Sequence, residues 1–332
     1  MSDRLLVATR KGLFDVRADG EGRWNFGDLH FAGEPVSMVL PDPRDSSLYA
    51  ALNLGHFGVK LHRRREGMAD WEECAVPVYP PQPADETHAA DGAHASAGAD
   101  SDDEAAPSRP ATPWTLQQIW SLETGGPDEP GVLWAGTIPG GLFRSGDGGD
   151  TWVLNRALWD RPERREWFGG GYDAAGIHSV MVDPRDSRHV TIGVSCGGVW
   201  QTDDGGASWR VSAEGMEADY MPPERRGDAN VQDPHRVVQC PANPRCVVDS
   251  ASLRHLPLDR RCGPLAADRS AAIELRLRGC RPSARPGHRV VRACRERRVP
   301  HSGGRPIRCH AHTRRRAHVR AFLERAAAEP GV

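Results

Sequence analysis
The stretch Ser145-Gly-Asp147-Gly-Gly149-Asp-Thr151-Trp152 returns further along the chain as Thr202-Asp-Asp204-Gly-Gly206-Ala-Ser208-Trp209. Both copies place a hydroxyl, a carboxylate, a glycine, a second hydroxyl and a tryptophan at the same spacing. A short carboxylate inside a turn accepts backbone N–H groups. A glycine supplies the positive φ that a tight turn needs. On this reading Asp147 and Asp204 organise two hairpin turns, Gly149 and Gly206 let the chain reverse, and Trp152 and Trp209 pack back onto the hairpin as apolar anchors.

Working outward, each turn follows the same kind of strand, Gly141-Leu-Phe-Arg144 and Gly198-Val-Trp-Gln201. Ahead of these lie strand–turn–strand units: Leu5–Phe14, Leu48–Phe57, Leu133–Phe143 and Val190–Trp200. A further unit, an apolar strand ending in Asp-Pro-Arg-Asp-Ser, occurs at Val36–Ser46 and His178–Ser187, with a fainter copy at His235–Pro244. Short strands at even spacing, punctuated by turn residues, predict an all-β repeat. Each set holds an inner strand, a middle hairpin and an outer strand bearing tryptophan, which is the four-stranded blade of a propeller. About four to five blades are expected on this repeat length, the first incomplete and the fifth starting near Pro234.

The doubled turn resembles the Asp-box, or BNR repeat, of sialidase-type and sortilin-type β-propellers. That resemblance implies a propeller in which Ser145, Asp147, Gly149, Thr151 and Trp152, with Thr202, Asp204, Gly206, Ser208 and Trp209, act as structural staples. It covers roughly residues 1–245 and supports fold more than activity. The Arg-Ile-Pro motif of sialidases is absent, the corresponding stretch being Thr9-Arg-Lys-Gly12, and neither Tyr172 nor Tyr220 is assignable as a nucleophile. The expected function is therefore a binding scaffold. The alternatives are a sialidase-like glycoside hydrolase in an intact full-length form, or an assembly or folding factor.

Charge divides the chain. Residues 1–245 carry 23 basic and 38 acidic side chains, a net of −15, whereas residues 246–332 carry 20 arginines, no lysine and 7 acidic residues. All ten tryptophans precede residue 246. We read 1–245 as the propeller and 246–332 as a poorly structured, out-of-frame tail. Back-translated one base out of register with GC-rich codons, Leu258–Leu265 yields Ser-Thr-Asp-Gly-Ala-Asp-Arg-Trp, an imperfect copy of the box. A nucleic-acid-binding arm is the rival reading of the arginines, disfavoured by the missing lysines and aromatics. Residues 80–113, rich in Ala, Asp, Glu, Pro and Ser, read as a disordered insertion, and Trp159–Gly171 as a second long loop.

No apolar run of about 18 residues suggests a membrane span. The first residues lack the apolar core of a signal peptide, so a cytoplasmic location is expected. The eight cysteines show no CxxC pair and read as free thiols. No cofactor or metal is expected.

Propeller topology puts the Asp-box turns on one face. Ligand sites generally use the opposite face, where a carbohydrate or protein ligand is expected. That face gathers Arg10, Lys11, His56, His178, Cys196 and His235, with Trp120 and Glu123 on or just after the inner strand of the third blade. His178 and His235 hold equivalent repeat positions, which points to a shared pocket. Each residue also has a plainer role: a turn histidine at His56, strand-end hydrogen bonding at His178 and His235, packing at Trp120, and a Cys196 with no identifiable base.

Overall fold
Alternating short apolar runs and Gly/Asp turns fold as antiparallel sheets, because each run buries one or both faces against a neighbour. A computed structural model describes residues 3–83, 114–240, 243–249 and 289–290. The first sheet contains β1 (Arg4–Thr9), β2 (Gly12–Ala18) and β3 (Trp24–His30). The second contains β4 (Val36–Pro41), β5 (Leu48–Asn53), β6 (Val59–Arg64) and β7 (Glu72–Cys74). The third contains β8 (Gln118–Thr124), β9 (Leu133–Ile138), β10 (Leu142–Ser145) and β11 (Val153–Leu154). The fourth contains β12 (Ile177–Asp183), β13 (Asp186–Val194), β14 (Gly198–Thr202) and β15 (Arg210–Val211). A two-stranded sheet follows, of β16 (Val237–Cys240) and β17 (Asn243–Asp249). Finally β18 (Arg289–Val290) lies parallel to Leu5–Leu6 of β1, completing the first sheet in the order β18-β1-β2-β3.

The chain is an all-β propeller built from four-stranded blades. Inner strands β4, β8, β12 and β16 lie side by side in succession, and β1 packs on β4. Hydroxyls stitch these inner strands together. Ser37 Oγ donates to the Ile119 carbonyl (3.4 Å), Ser121 Oγ to the Ile177 carbonyl (2.9 Å), and Ser179 Oγ accepts from Val237 N (3.2 Å). An apolar cluster fills each gap between consecutive blades: Leu13, Leu48 and Leu52 in the first, Leu61, Leu133 and Phe143 in the second, Trp134, Ile192 and Trp200 in the third, and Met181, Val199 and Val237 in the fourth. Each fully buried side chain of this size stabilises the fold by about 1.5–3 kcal/mol.

The repeated Asp-Pro-Arg-Asp-Ser segment has a similar bridging task. Arg44 donates two hydrogen bonds to Asp42 and reaches across to the Glu129 and Val132 carbonyls of the third sheet (2.6 and 2.9 Å). Arg185 forms the same fork on Asp183.

Both doubled turns close as their residues require. Ser145 Oγ donates to Asp147 and accepts from Gly149 N, while Asp147 accepts the Thr151 N–H and hydroxyl (2.9 and 2.6 Å). Thr202, Asp204, Gly206 and Ser208 repeat this pattern (2.9 and 2.6 Å for Ser208 onto Asp204). The Thr151 hydroxyl and N–H hold the Asp147 carboxyl down at about 2. Both tryptophans belong to apolar clusters that include residues of their own sheet, Trp152 with Leu133 and Phe143, and Trp209 with Val190 and Trp200. Each also reaches the preceding blade, Trp152 Nε1 donating to the Ala75 carbonyl and Trp209 Nε1 to Asn155 Oδ1 (both 3.0 Å).

Three other readings meet the structure. The stretch read as a long loop after Trp159 includes a 3-10 turn over Pro162–Glu166, preceded by a one-turn helix, Arg156–Trp159, capped by Asn155. Residues 84–113 of the insertion lie outside the described residues, as does most of the tail, including the whole of the second compact unit, Ala293–Val332. Strand β17 runs across residue 245, where the sequence repeat stops.

Gly206 tests the turn. Its φ is +93°, and a Cβ there would stand 2.5 Å from Asn155 Nδ2. Gly206→Ala is expected to lower the unfolding free energy by about 1–3 kcal/mol. Gly146→Ala, where a Cβ meets nothing within 4 Å, is expected to be neutral or slightly stabilising. Urea unfolding of both variants checks this, and equal midpoints would remove the strain argument.

Candidate functional site
Two β-bulges aim the site. The register slips between Ile119 and Ser121 on β8, and between Ile177 and Ser179 on β12. A bulge re-aims the side chain it carries, and the bulged residues are Trp120 and His178. The two rings meet edge-on, with centroids 5.6 Å apart. Gly176 makes this possible, because a Cβ there would overlap the Trp120 indole. Tyr172, after the Gly169–Gly171 run, stands edge-on to Trp120 (5.3 Å) and donates its hydroxyl to Gln118 Oε1 (3.3 Å).

The opposite wall comes from the β13–β14 turn and the approach to β16. Cys196 N donates to Asp233 Oδ1 (3.1 Å), and Ser195 Oγ donates to the same oxygen (3.4 Å). Cys196 takes φ +46°, a conformation that side chains with a Cβ rarely adopt. His235 Nε2 lies 3.6 Å from Asp233 Oδ2. Between these walls is a cleft of about 340 Å³, lined by Trp120, Tyr172, His178, Ser195, Asp233 and His235 among others. Gly170 lets the 169–171 loop close on it, since a Cβ would press at 3.1–3.3 Å on Cys196 Sγ, Asp233 Oδ2 and Ser195 Oγ.

Of the residues singled out in the sequence, the cleft brings together Trp120, His178 and His235. His178 is buried, with Nδ1 2.9 Å from Ser179 Oγ, whereas His235 is exposed. Cys196 sits just behind the wall, its thiol buried. Burial and the neighbouring Asp233 push that thiol up to about 12, which disfavours the thiolate. Arg10 and Lys11 are exposed on the β1–β2 turn, and His56 on the β5–β6 turn. These turns are the counterparts of the β13–β14 turn in their own sheets, but they do not line the cleft.

Glu123 is displaced more clearly. It lies three residues beyond Trp120, about 10 Å along the strand and toward the opposite end of β8. Its carboxylate accepts only from Thr124, and burial pushes it up to about 7 despite Arg236 and Arg44 nearby. Asp233, Ser195 and Tyr172 were the residues missed. The one signal for them was the Gly169–Gly171 run, which marks a loop that must approach another backbone closely.

Among the described residues, no group of three His, Cys, Asp or Glu is placed to hold a metal ion. No described helix is long and apolar enough to cross a membrane.

Among solved structures the chain is similar to YCF48 from Cyanidioschyzon merolae, at 13% identity over 73% of this chain and 59% of that chain, with a TM-score of 0.40. It is similar to Sqt1 from Saccharomyces cerevisiae, at 12% identity over 75% and 58% of the two chains, TM-score 0.40. It is also similar to the GH74 xyloglucanase from Xanthomonas campestris, at 15% identity over 77% and 37%, TM-score 0.37. The chain spans less than two thirds of the length of each. No protein-family model and no curated protein matches it.

Two measurements follow from the buried titratable groups. Iodoacetamide at pH 8 is expected to leave Cys196 and Cys74 unmodified in the native protein, and to label both after urea; both thiols are buried and pushed up, to about 12 and about 11. Peptide mapping reads the result, and rapid native labelling of Cys196 would restore it as a nucleophile. Glu123 titrates near 4.5 when free and about 7 when folded, so between these values the folded chain holds a proton that the unfolded chain releases. Stability therefore falls as pH rises through that window. Glu123→Gln is expected to flatten the slope and add roughly 2 kcal/mol at pH 8, reduced from the full shift because the carboxyl keeps partial solvent contact. Urea midpoints at pH 4.5 and pH 8 check it.

Proposed function
We propose that this chain is a ligand-binding propeller of the Asp-box type, and that the cleft between the third, fourth and fifth blades is its binding site. The blades of residues 1–245 form the binding body in this reading, with 246–332 outside it. The observation that carries it is the convergence of Trp120, Tyr172 and Asp233 from three separate segments onto one cleft. Aromatic walls with one or two fixed polar groups are the usual composition of a small-ligand or peptide site. Strain supports the same view, since Cys196 holds an unfavourable φ while its N–H fixes the Asp233 carboxylate.

Binding is favoured over glycoside hydrolysis on a specific count. Hydrolysis of that kind generally needs two carboxyl groups flanking the scissile bond. Among the described lining residues, Asp233 is the only carboxylate, and Glu123 is at the far end of its strand.

Trp120→Ala tests the proposal. The full chain and the variant are titrated against a panel of oligosaccharides and extended peptides, with tryptophan fluorescence and calorimetry as readouts. Any ligand bound by the full chain is expected to lose at least about tenfold in affinity on loss of the indole, with a lowered melting temperature as well, because the indole also packs on Tyr172 and His178. Unchanged affinity in a folded variant would move the site elsewhere.

A further inference from the structure
We infer that the cleft recognises a cationic group, an alkylammonium or guanidinium such as an arginine side chain. The inference rests on the reading of the cleft as the binding site and adds the chemistry of what fills it. Asp233 supplies the first argument. Its Oδ1 already accepts from Cys196 N and Ser195 Oγ, and this fixes the carboxylate plane. Its Oδ2 faces Gly170 of the cleft, with His235 Nε2 at 3.6 Å and the buried Cys196 thiol against the same carboxyl. An ionised carboxylate accepts only, so the ligand atom that meets Oδ2 must be a donor.

A hydroxyl or an N–H⁺ would satisfy that oxygen, and charge decides between them. The described lining holds Asp233 and no lysine or arginine. The nearest cation along the chain, Arg236, turns Nη1 to the His178 carbonyl (3.3 Å). A ligand cation therefore meets a carboxylate whose one neighbouring basic group in the described lining is the His235 imidazole at 3.6 Å, and charge-assisted bonds are roughly twice as strong as neutral ones. The remaining walls favour the same class. Trp120 and Tyr172 line the same cleft as the carboxylate, and cations are drawn to indole and phenol rings.

The experiment uses the full chain and three probes: N-acetyl-L-arginine methylamide, its neutral isostere N-acetyl-L-citrulline methylamide, and the disaccharide N-acetyllactosamine. Calorimetry is run at low and at moderate sodium chloride. The arginine compound is expected to bind at least about tenfold more tightly than the citrulline compound, with affinity falling as salt rises. Asp233→Asn keeps the shape and is expected to erase that preference. Should the loss of the Asp233 anchor unfold the 195–197 turn, Tyr172→Leu and the wild-type arginine/citrulline ratio decide the matter alone, because neither touches the anchor. Equal binding of the two amino-acid probes, or binding of the disaccharide alone, overturns the cationic reading while leaving the cleft as a site. Failure of all three probes, together with failure of the wider saccharide and peptide panel, overturns both.

Discussion
Successive inner strands approach so closely that the strand behind them has no room for a side chain at one position. On β9 this position is Gly136, where a Cβ would overlap Ser121 Oγ and the Ile177 carbonyl. On β13 it is Gly193, where a Cβ would stand 2.7 Å from Val237 and 2.9 Å from His178. Gly136 lies opposite Ser121, and Gly193 opposite Ser179, in their own sheets. The glycine lets the next blade in, and the serine hydroxyl satisfies a backbone group that the approach would otherwise leave dry. Blade spacing, the apolar clusters between sheets and the position of the cleft all depend on this contact.

The cleft is a by-product of the same geometry. A bulge one residue before each of these serines displaces Trp120 and His178 from the regular pleat. Gly176 clears the space behind the indole. The β13–β14 turn then presents the Cys196 N–H toward the fifth blade, where Asp233 receives it. Strain at Cys196 persists because Phe168 N donates to the Cys196 carbonyl and Asp233 accepts from its N–H, so both sides of the residue are held.

Much of the fold was legible in the residues, because turn chemistry is local. A hydroxyl, an aspartate and a glycine in sequence carry their own hydrogen-bond partners, so Asp147 and Asp204 act as their spacing required. Strand order followed from the regular repeat. The site was only partly legible, since it joins Trp120, Tyr172 and Asp233 across blades, and no local pattern links them. Asp233 resembles any loop carboxylate until Cys196 N is seen to reach it. Glu123 shows the converse error. Strand membership placed it near Trp120, but position along the strand decides which end of the blade a side chain serves. The reach of Trp152 and Trp209 into the preceding blade was not legible, because the acceptors, the Ala75 carbonyl and Asn155 Oδ1, lie on another sheet.

The first blade shows what the inner strand contributes. Strands β1, β5 and β9 share an apolar pattern, yet β5 and β9 are buried almost throughout whereas β1 buries only Leu6 fully. The difference is the strand in front. β4 and β8 run antiparallel along β5 and β9, while among the described residues β1 has a two-residue parallel pairing with β18 on that side. The first sheet compensates through charge. Asp15 is almost fully buried in β2, and although burial opposes its ionisation, Arg4 and Arg17 hold its carboxyl below the usual range. Arg4 grips it with two hydrogen bonds of 2.9 Å. Apolar burial and a paired buried charge thus do the same work in different blades. The charged version is the more fragile, because removing Arg4 would leave a carboxylate in a site with too little water to solvate it.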